Sequence, residues 1–166
     1  EVAEDDVEID RLEVAIDGAV LKALALQAPV AEDLREVLAI KMIATDLERV
    51  GDLARNIAKC AARCSANPPI PFPAALTSLA RSAQRVLRRS LDAFSRTDAE
   101  LARAVLGEDD AIDRAQDEVV QTMLRALERQ PDAASQEVDL IMVAKHLERV
   151  GDHATNIAED VVLVAE

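Results

Sequence analysis

The sequence predicts an all-α protein made of two related halves, and three observations predict it. First, the segment at 46–58, DLERVGDLARNIA, returns at 146–158 as HLERVGDHATNIA, with ten of thirteen positions identical. An offset of 100 residues is that of a domain, not of a short tandem repeat. Second, half the residues are apolar, mostly Ala, Leu, Val and Ile, with only Phe72 and Phe94 as aromatics and four glycines. That mix suits close-packed helices and works against sheets, which favour aromatic and β-branched residues. Third, apolar positions recur at helical spacing over long stretches.

The first helix is expected over 4–27, with Ile9, Leu12, Ile16, Val20 and Leu24 on one face and Pro29 ending it. A long second helix covers 31–65, with Glu32 and Asp33 in the first turn where acids suit the helix dipole. NPPIPFP at 67–73 holds four prolines in seven residues and cannot be helix or central strand. A third helix runs over 74–96. Thr97 and Glu100 form a capping-box pattern, so a fourth helix starts near Asp98 and continues to about Arg129. Gln130-Pro131-Asp132 makes a turn, and the last helix spans 133–165. The organisation is a first half over 1–66 with two long helices, a Pro-rich linker at 67–73, and a second half over 74–166 with three. The second half can close as a three-helix bundle. The first half lacks a third helix, so one helix preceding Glu1 is expected.

The formal net charge of −13 argues against binding nucleic acid or an anionic membrane surface. No apolar run approaches the roughly 20 residues of a membrane helix, and the acidic N-terminal stretch has no signal-peptide character. Cys60 and Cys64 lie one helical turn apart. A disulfide at that spacing strains a helix and two thiols make a poor zinc site, so they are expected to be small packed residues in a reducing cytoplasm.

The repeated segment keeps Glu48 and Glu148, Asp52 and Asp152, and Asn56 and Asn156, each four residues apart. With 100° per residue, Thr45, Glu48, Asp52 and Asn56 share an arc of about 80°, away from the apolar arc of Leu47, Val50, Ala54, Ile57 and Ala58. Glu159 extends the second stripe, where the first half has Lys59. A partner stripe lies on the preceding helix of each half: Asp6, Asp10, Glu13 and Asp17 in the first, Asp109, Asp113 and Asp117 in the second.

Like charges at this spacing destabilise a helix by a few tenths of a kcal/mol per pair, roughly, and a cation removes that cost. Carboxylates on two adjacent helices can converge on hard cations or on iron and manganese. The solvated-face alternative is weakened by the duplication. His146 flanks the acidic stripe, while His153 lies nearer the apolar side. Arg49 and Arg149 are expected to pair with acids on a neighbouring helix. Gly51 and Gly151 cost their helices about 1 kcal/mol each against Ala, which close approach of a facing helix explains. No phosphate loop, nucleophile–His pair or zinc motif is present.

These segments resemble the PhoU family of bacterial phosphate-uptake regulators. The resemblance runs through LEVAID (12–17), QAPVAEDLR (27–35), DLERVGDLARNIA (46–58), GEDDAIDRA (107–115) and HLERVGDHATNIAED (146–160), in order along nearly the whole chain. It implies two pseudo-symmetric antiparallel three-helix bundles, with the first helix missing from this sequence. It implies a non-catalytic cytoplasmic regulator, a signalling adaptor that meets the membrane through its partners. Those partners are a phosphate ABC transporter ATPase and a membrane histidine kinase, with restraint of the phosphate-starvation response when phosphate is plentiful. A homodimer or higher oligomer is expected.

The family's E/D-x-x-x-D motifs imply carboxylate-bound metal (iron, zinc, manganese or magnesium) at Asp6, Asp10, Glu48 and Asp52, and at Asp109, Asp113, Glu148 and Asp152. Further ligands would come from Glu13, Asp17, Asn56, Asp117, Asn156 and Glu159. Alternatives are an accessory module of another transporter or a metal-dependent stress protein. A di-iron carboxylate enzyme would need paired Glu-x-x-His motifs, which the chain lacks.

Overall fold

The computed structural model describes residues 2–166, with the side chain of Ala3 left aside. Six α-helices account for nearly all of it: α1 (Val2–Gln27), α2 (Glu32–Ser65), α3 (Ala74–Arg96), α4 (Ala99–Leu106), α5 (Asp109–Arg129) and α6 (Ala134–Ala165). A single 3-10 turn, Pro131–Ala133, precedes α6, and no strand occurs among the described residues.

α6 is the centre of the packing: α2, α3, α4 and α5 all lie against it, and α1 lies against α2. The main core is built from Leu79, Val86 and Ala93 of α3, Ala102 and Val105 of α4, Ile112 and Val119 of α5, and Ala154, Ala158 and Val161 of α6. Each large side chain among them contributes about 1.5–3 kcal/mol by leaving water. A smaller cluster of Leu53, Ala83 and Val150, with Val50 beside it, ties α2 to α3 and α6. Between Ser65 and Ala74 the chain runs without helix or strand, pinned where Gln136 Nε2 donates to Pro68 O at 2.8 Å.

The single helix expected over 98–129 is two helices. After Leu106 the backbone tightens: Glu108 N bonds Val105 O, three residues back, and α5 restarts at Asp109. Arg85 and Arg89 of α3 both ion-pair with Glu108 and hold the break in place. The cap near 98 also differs from expectation. Thr97 closes α3 in the left-handed region (φ 50°), and Asp98 caps α4 by accepting from Leu101 N at 2.9 Å.

The two glycines inside the repeat sit where helices cross. A Cβ at Gly51 would come within 3.1 Å of Ile9 Cδ1, and one at Gly151 within 2.9 Å of Ile112 Cδ1. The α1–α2 contact is thus repeated by α5–α6, with Ile9 matching Ile112. That register places Asp6 with Asp109 and Asp10 with Asp113.

The faces around this repeated contact are covered unequally. Ala154, Ile157, Ala158 and Val161 are at most 1% exposed. Their counterparts on α2 lie open: Ala54 and Ala61 are exposed, and Ile57 and Ala58 only half-buried. On α1, Leu12 is exposed and Ile9 and Ile16 are half-buried, and Leu47 and Val50 of α2 are half-buried as well. For Val50 the wall is the Leu53–Ala83–Val150 cluster. No described helix is long and apolar enough to cross a membrane.

Candidate metal centre

The crossing of α5 and α6 at Ile112 and Gly151 brings two pairs of acids face to face. Asp109 and Asp113 lie one turn apart on α5, and Glu148 and Asp152 one turn apart on α6. Asp113, Glu148 and Asp152 each offer an oxygen within 4.8 Å of the others. Burial raises the Glu148 pKa above the ordinary carboxylate value, and Asp152 and Asp113 raise it further. Burial, then Asp113, raises Asp152. Burial followed by Asp113 and Asp152 raises Asp109, which places it beside the trio. Lys145 and Arg149 ease Glu148 at a distance, but among the described residues no ion pair closes on the group.

This donor set fits a metal. Three carboxylates converge without a paired cation, and an all-oxygen set suits magnesium, manganese or iron better than softer ions. The residues that would hold it are Asp113, Glu148 and Asp152, with Asp109 at the edge. The ion would supply the positive charge that the acids lack.

The first-half acids are arranged differently. The Asp6 carboxylate is buried, and Arg55 bridges it to Asp52. Lys41 Nζ reaches Glu13 at 2.8 Å and Asp17 at 2.5 Å. Arg49 pairs with Glu48 of its own helix at 3.5 Å, not with a neighbouring helix. Burial raises the Glu48 pKa, opposed by Arg49 and assisted by Asp52 and Asp10. Asp10 is exposed. Asp6, Asp52, Glu13, Asp17 and Glu48 therefore carry their own cations. At the repeat offset Arg55 becomes Thr155 and Lys41 becomes Ile141, so the second half has neither.

The remaining expected ligands fall outside the trio. Asp117 is exposed on α5, and Asn56 is half-buried on α2. Asn156 Nδ2 points to Asp46 Oδ1 at 3.4 Å. Glu159 is exposed on α6 and adds repulsion to both Asp109 and Asp160. His146 is half-buried outside the group, its pKa lowered by burial and then by Arg149 and Lys145. His153 Nδ1 meets Asp46 Oδ1 at 2.7 Å instead of facing the core. Cys60 and Cys64 are free thiols, both pushed up by burial. Arg55 and Lys41 were the residues missed, and comparing the two repeats position by position would have marked them.

The PhoU domain model matches residues 1–61 and 76–161. The chain belongs to the PhoU family. It is 38% identical over 159 residues to the phosphate-specific transport system accessory protein PhoU homolog of Xylella fastidiosa (strain 9a5c), covering 96% of this chain and 67% of that protein. The homolog of the same name from Synechocystis is 38% identical over 161 residues, 96% of this chain and 71% of its own length. This PhoU-family chain thus spans about two thirds of the length of the first of these relatives. The crystal structure of PhoU from Pseudomonas aeruginosa superposes with a TM-score of 0.95 at 34% identity, over 98% of this chain and 78% of that one. The phosphate transport system regulatory protein PhoU from Streptococcus pneumoniae superposes at 0.89 with 26% identity, over 98% and 76%.

Proposed function

We propose that this chain is a metal-binding accessory regulator of phosphate transport. The observation that carries the reading is its 38% identity to phosphate-specific transport accessory proteins over 96% of its length. On this reading the chain is non-catalytic and works in the cytoplasm as an adaptor. It contacts the ATPase of a phosphate ABC transporter and a membrane histidine kinase, and it restrains the starvation response when phosphate is plentiful.

The carboxylate centre on α5 and α6 gives the adaptor a metal-dependent surface. An ion between Asp113, Glu148 and Asp152 ties two helices whose acids otherwise repel. It also turns a local negative patch toward neutrality, which alters what that face attracts.

The test is co-purification with the transporter ATPase and with the kinase, paired with metal analysis of chain prepared without chelator. The expected result is iron, manganese, zinc or magnesium bound to the chain, and retention of both partners. Asp113→Asn with Glu148→Gln should lower the metal content. Failure to retain either partner would overturn the adaptor reading, and unchanged metal content in the variant would overturn the centre.

A further inference from the structure

On the seam between α2 and α6, about two helical turns along α6 from Asp152, lies an open cavity of about 480 Å³ lined in part by Thr45, Asp46, Asn156, Glu159 and Asp160. Asp160 is 5% exposed, and its Oδ2 is buried with no hydrogen-bond partner. An ionised carboxylate held this way is costly unless a positive charge meets it.

The Asp46 carboxylate beside it is held in place. Its Oδ1 accepts from His153 Nδ1 at 2.7 Å and from Asn156 Nδ2 at 3.4 Å. An ionised carboxylate only accepts, so His153 carries its proton on Nδ1. Orientation of a carboxylate by an imidazole N–H is a recurring support for ion ligands. Lys41 lines the cavity but cannot serve it: its ammonium is taken by Glu13, Asp17 and Thr45, the last at 3.1 Å. Asp46 and Glu159 both raise the Asp160 pKa, behind the larger effect of burial.

We infer that this seam is a second cation site, taking a hydrated divalent ion of the magnesium class between Asp160 and Asp46, with Glu159 at its mouth. The oxygens here are not drawn into the close group that the trio makes. Magnesium suits that geometry, because it keeps several waters and needs only one or two carboxylates. The ion would staple α2 to α6 and so join the two repeats. The repeat has no second copy of the site: at the same offset Asp160 becomes Cys60, Asp46 becomes His146 and Glu159 becomes Lys59. The inference does not rest on the transport reading or on the trio.

The test uses Mn²⁺ as the probe, counted by loss of its free electron-paramagnetic signal. The whole chain carrying Asp113→Asn and Glu148→Gln, stripped of metal and freed of chelator, removes the trio. It should still bind about one Mn²⁺ per chain, displaced by excess Mg²⁺, and its melting temperature should rise with Mg²⁺ by mass action. Adding Asp160→Asn should weaken Mn²⁺ at least about tenfold and abolish the Mg²⁺ shift. Asp46→Asn repeats both measurements should Asp160→Asn fail to fold. No Mn²⁺ bound once the trio is removed, or undiminished binding with Asp160 or Asp46 replaced, would overturn the site.

Discussion

Arg55 and Thr155 hold the same place in the repeat, and the exchange decides whether the acids beside them are paired. Arg55 bridges Asp6 to Asp52, while Thr155 turns its hydroxyl back to the carbonyl of Asp152 at 2.7 Å. One half therefore closes its acids with its own guanidinium, and the other leaves three carboxylates facing one another.

Replacing Arg55 by Thr should make the first half resemble the second. Asp6 is 3% exposed, so losing its partner leaves a buried, unpaired carboxylate. The metal-free protein should lose about 2–4 kcal/mol of stability. Part of that loss should return on adding Mn²⁺, with bound metal rising by about one ion per chain. Urea unfolding with and without metal reads both effects. Equal metal binding by Arg55→Thr and the parent would show that the guanidinium does not stand in for an ion.

The glycine crossings give a graded pair. Alanine gains about 1 kcal/mol in helix propensity over glycine, whereas overpacking costs about 1–3 kcal/mol. At Gly51 the nearest atom is the flexible tip of Ile9 at 3.1 Å, so Gly51→Ala should be close to neutral. At Gly151 two Ile112 carbons lie at 2.9 and 3.1 Å, so Gly151→Ala should destabilise by about 1–2 kcal/mol. It should also push Asp113 away from Glu148 and Asp152 and weaken metal binding. Thermal melts of both variants, with a metal titration, check the order.

The helices were legible because periodicity and prolines act locally. What escaped depends on contacts between distant segments. The break at Glu108 is held by Arg85 and Arg89 from another helix, and nothing near residue 108 announces them. His153 lies nearer the apolar side on a helical wheel, which says nothing of the Asp46 carboxylate it meets across 107 residues of chain. The acids themselves were found from sequence, because their spacing is a single-helix property. Which acids stay unpaired was not, because Lys41 and Arg55 reach α1 from α2.

Asp160 should leave a signature in the pH dependence of metal-free protein. Burial, with help from Asp46 and Glu159, raises its pKa from 3.8 to about 6. The native state then holds this proton more tightly than the unfolded chain. That stabilisation is full below about pH 4 and is lost as pH rises through about 6. Glu148, Asp152 and Asp109, also raised, act in the same direction. With chelator present, Asp160→Asn should gain on the parent by on the order of 2 kcal/mol between pH 4 and 7. Parallel stability curves for the two proteins would remove Asp160 as the cause.

The uncovered face of α1 and α2 should make this chain associate. Ala154, Ala158 and Val161 lie under the core shared by α3, α4, α5 and α6, while Ala54 and Ala61 on α2 are exposed. On α1, Leu12 is 54% exposed, and its match at the crossing register, Ala115, packs against that core. Each large apolar side chain left in water forgoes about 1.5–3 kcal/mol relative to burial, and several in one face favour a second surface over solvent. Sedimentation at rising concentration should show a dimer or larger species, and an apolar dye should fluoresce on the dilute monomer. Leu12→Glu together with Ala58→Glu should shift the chain to monomer without lowering its melting temperature, because neither side chain lies in the main core. A clean monomer at high concentration that leaves the dye dark would show that this face needs no cover.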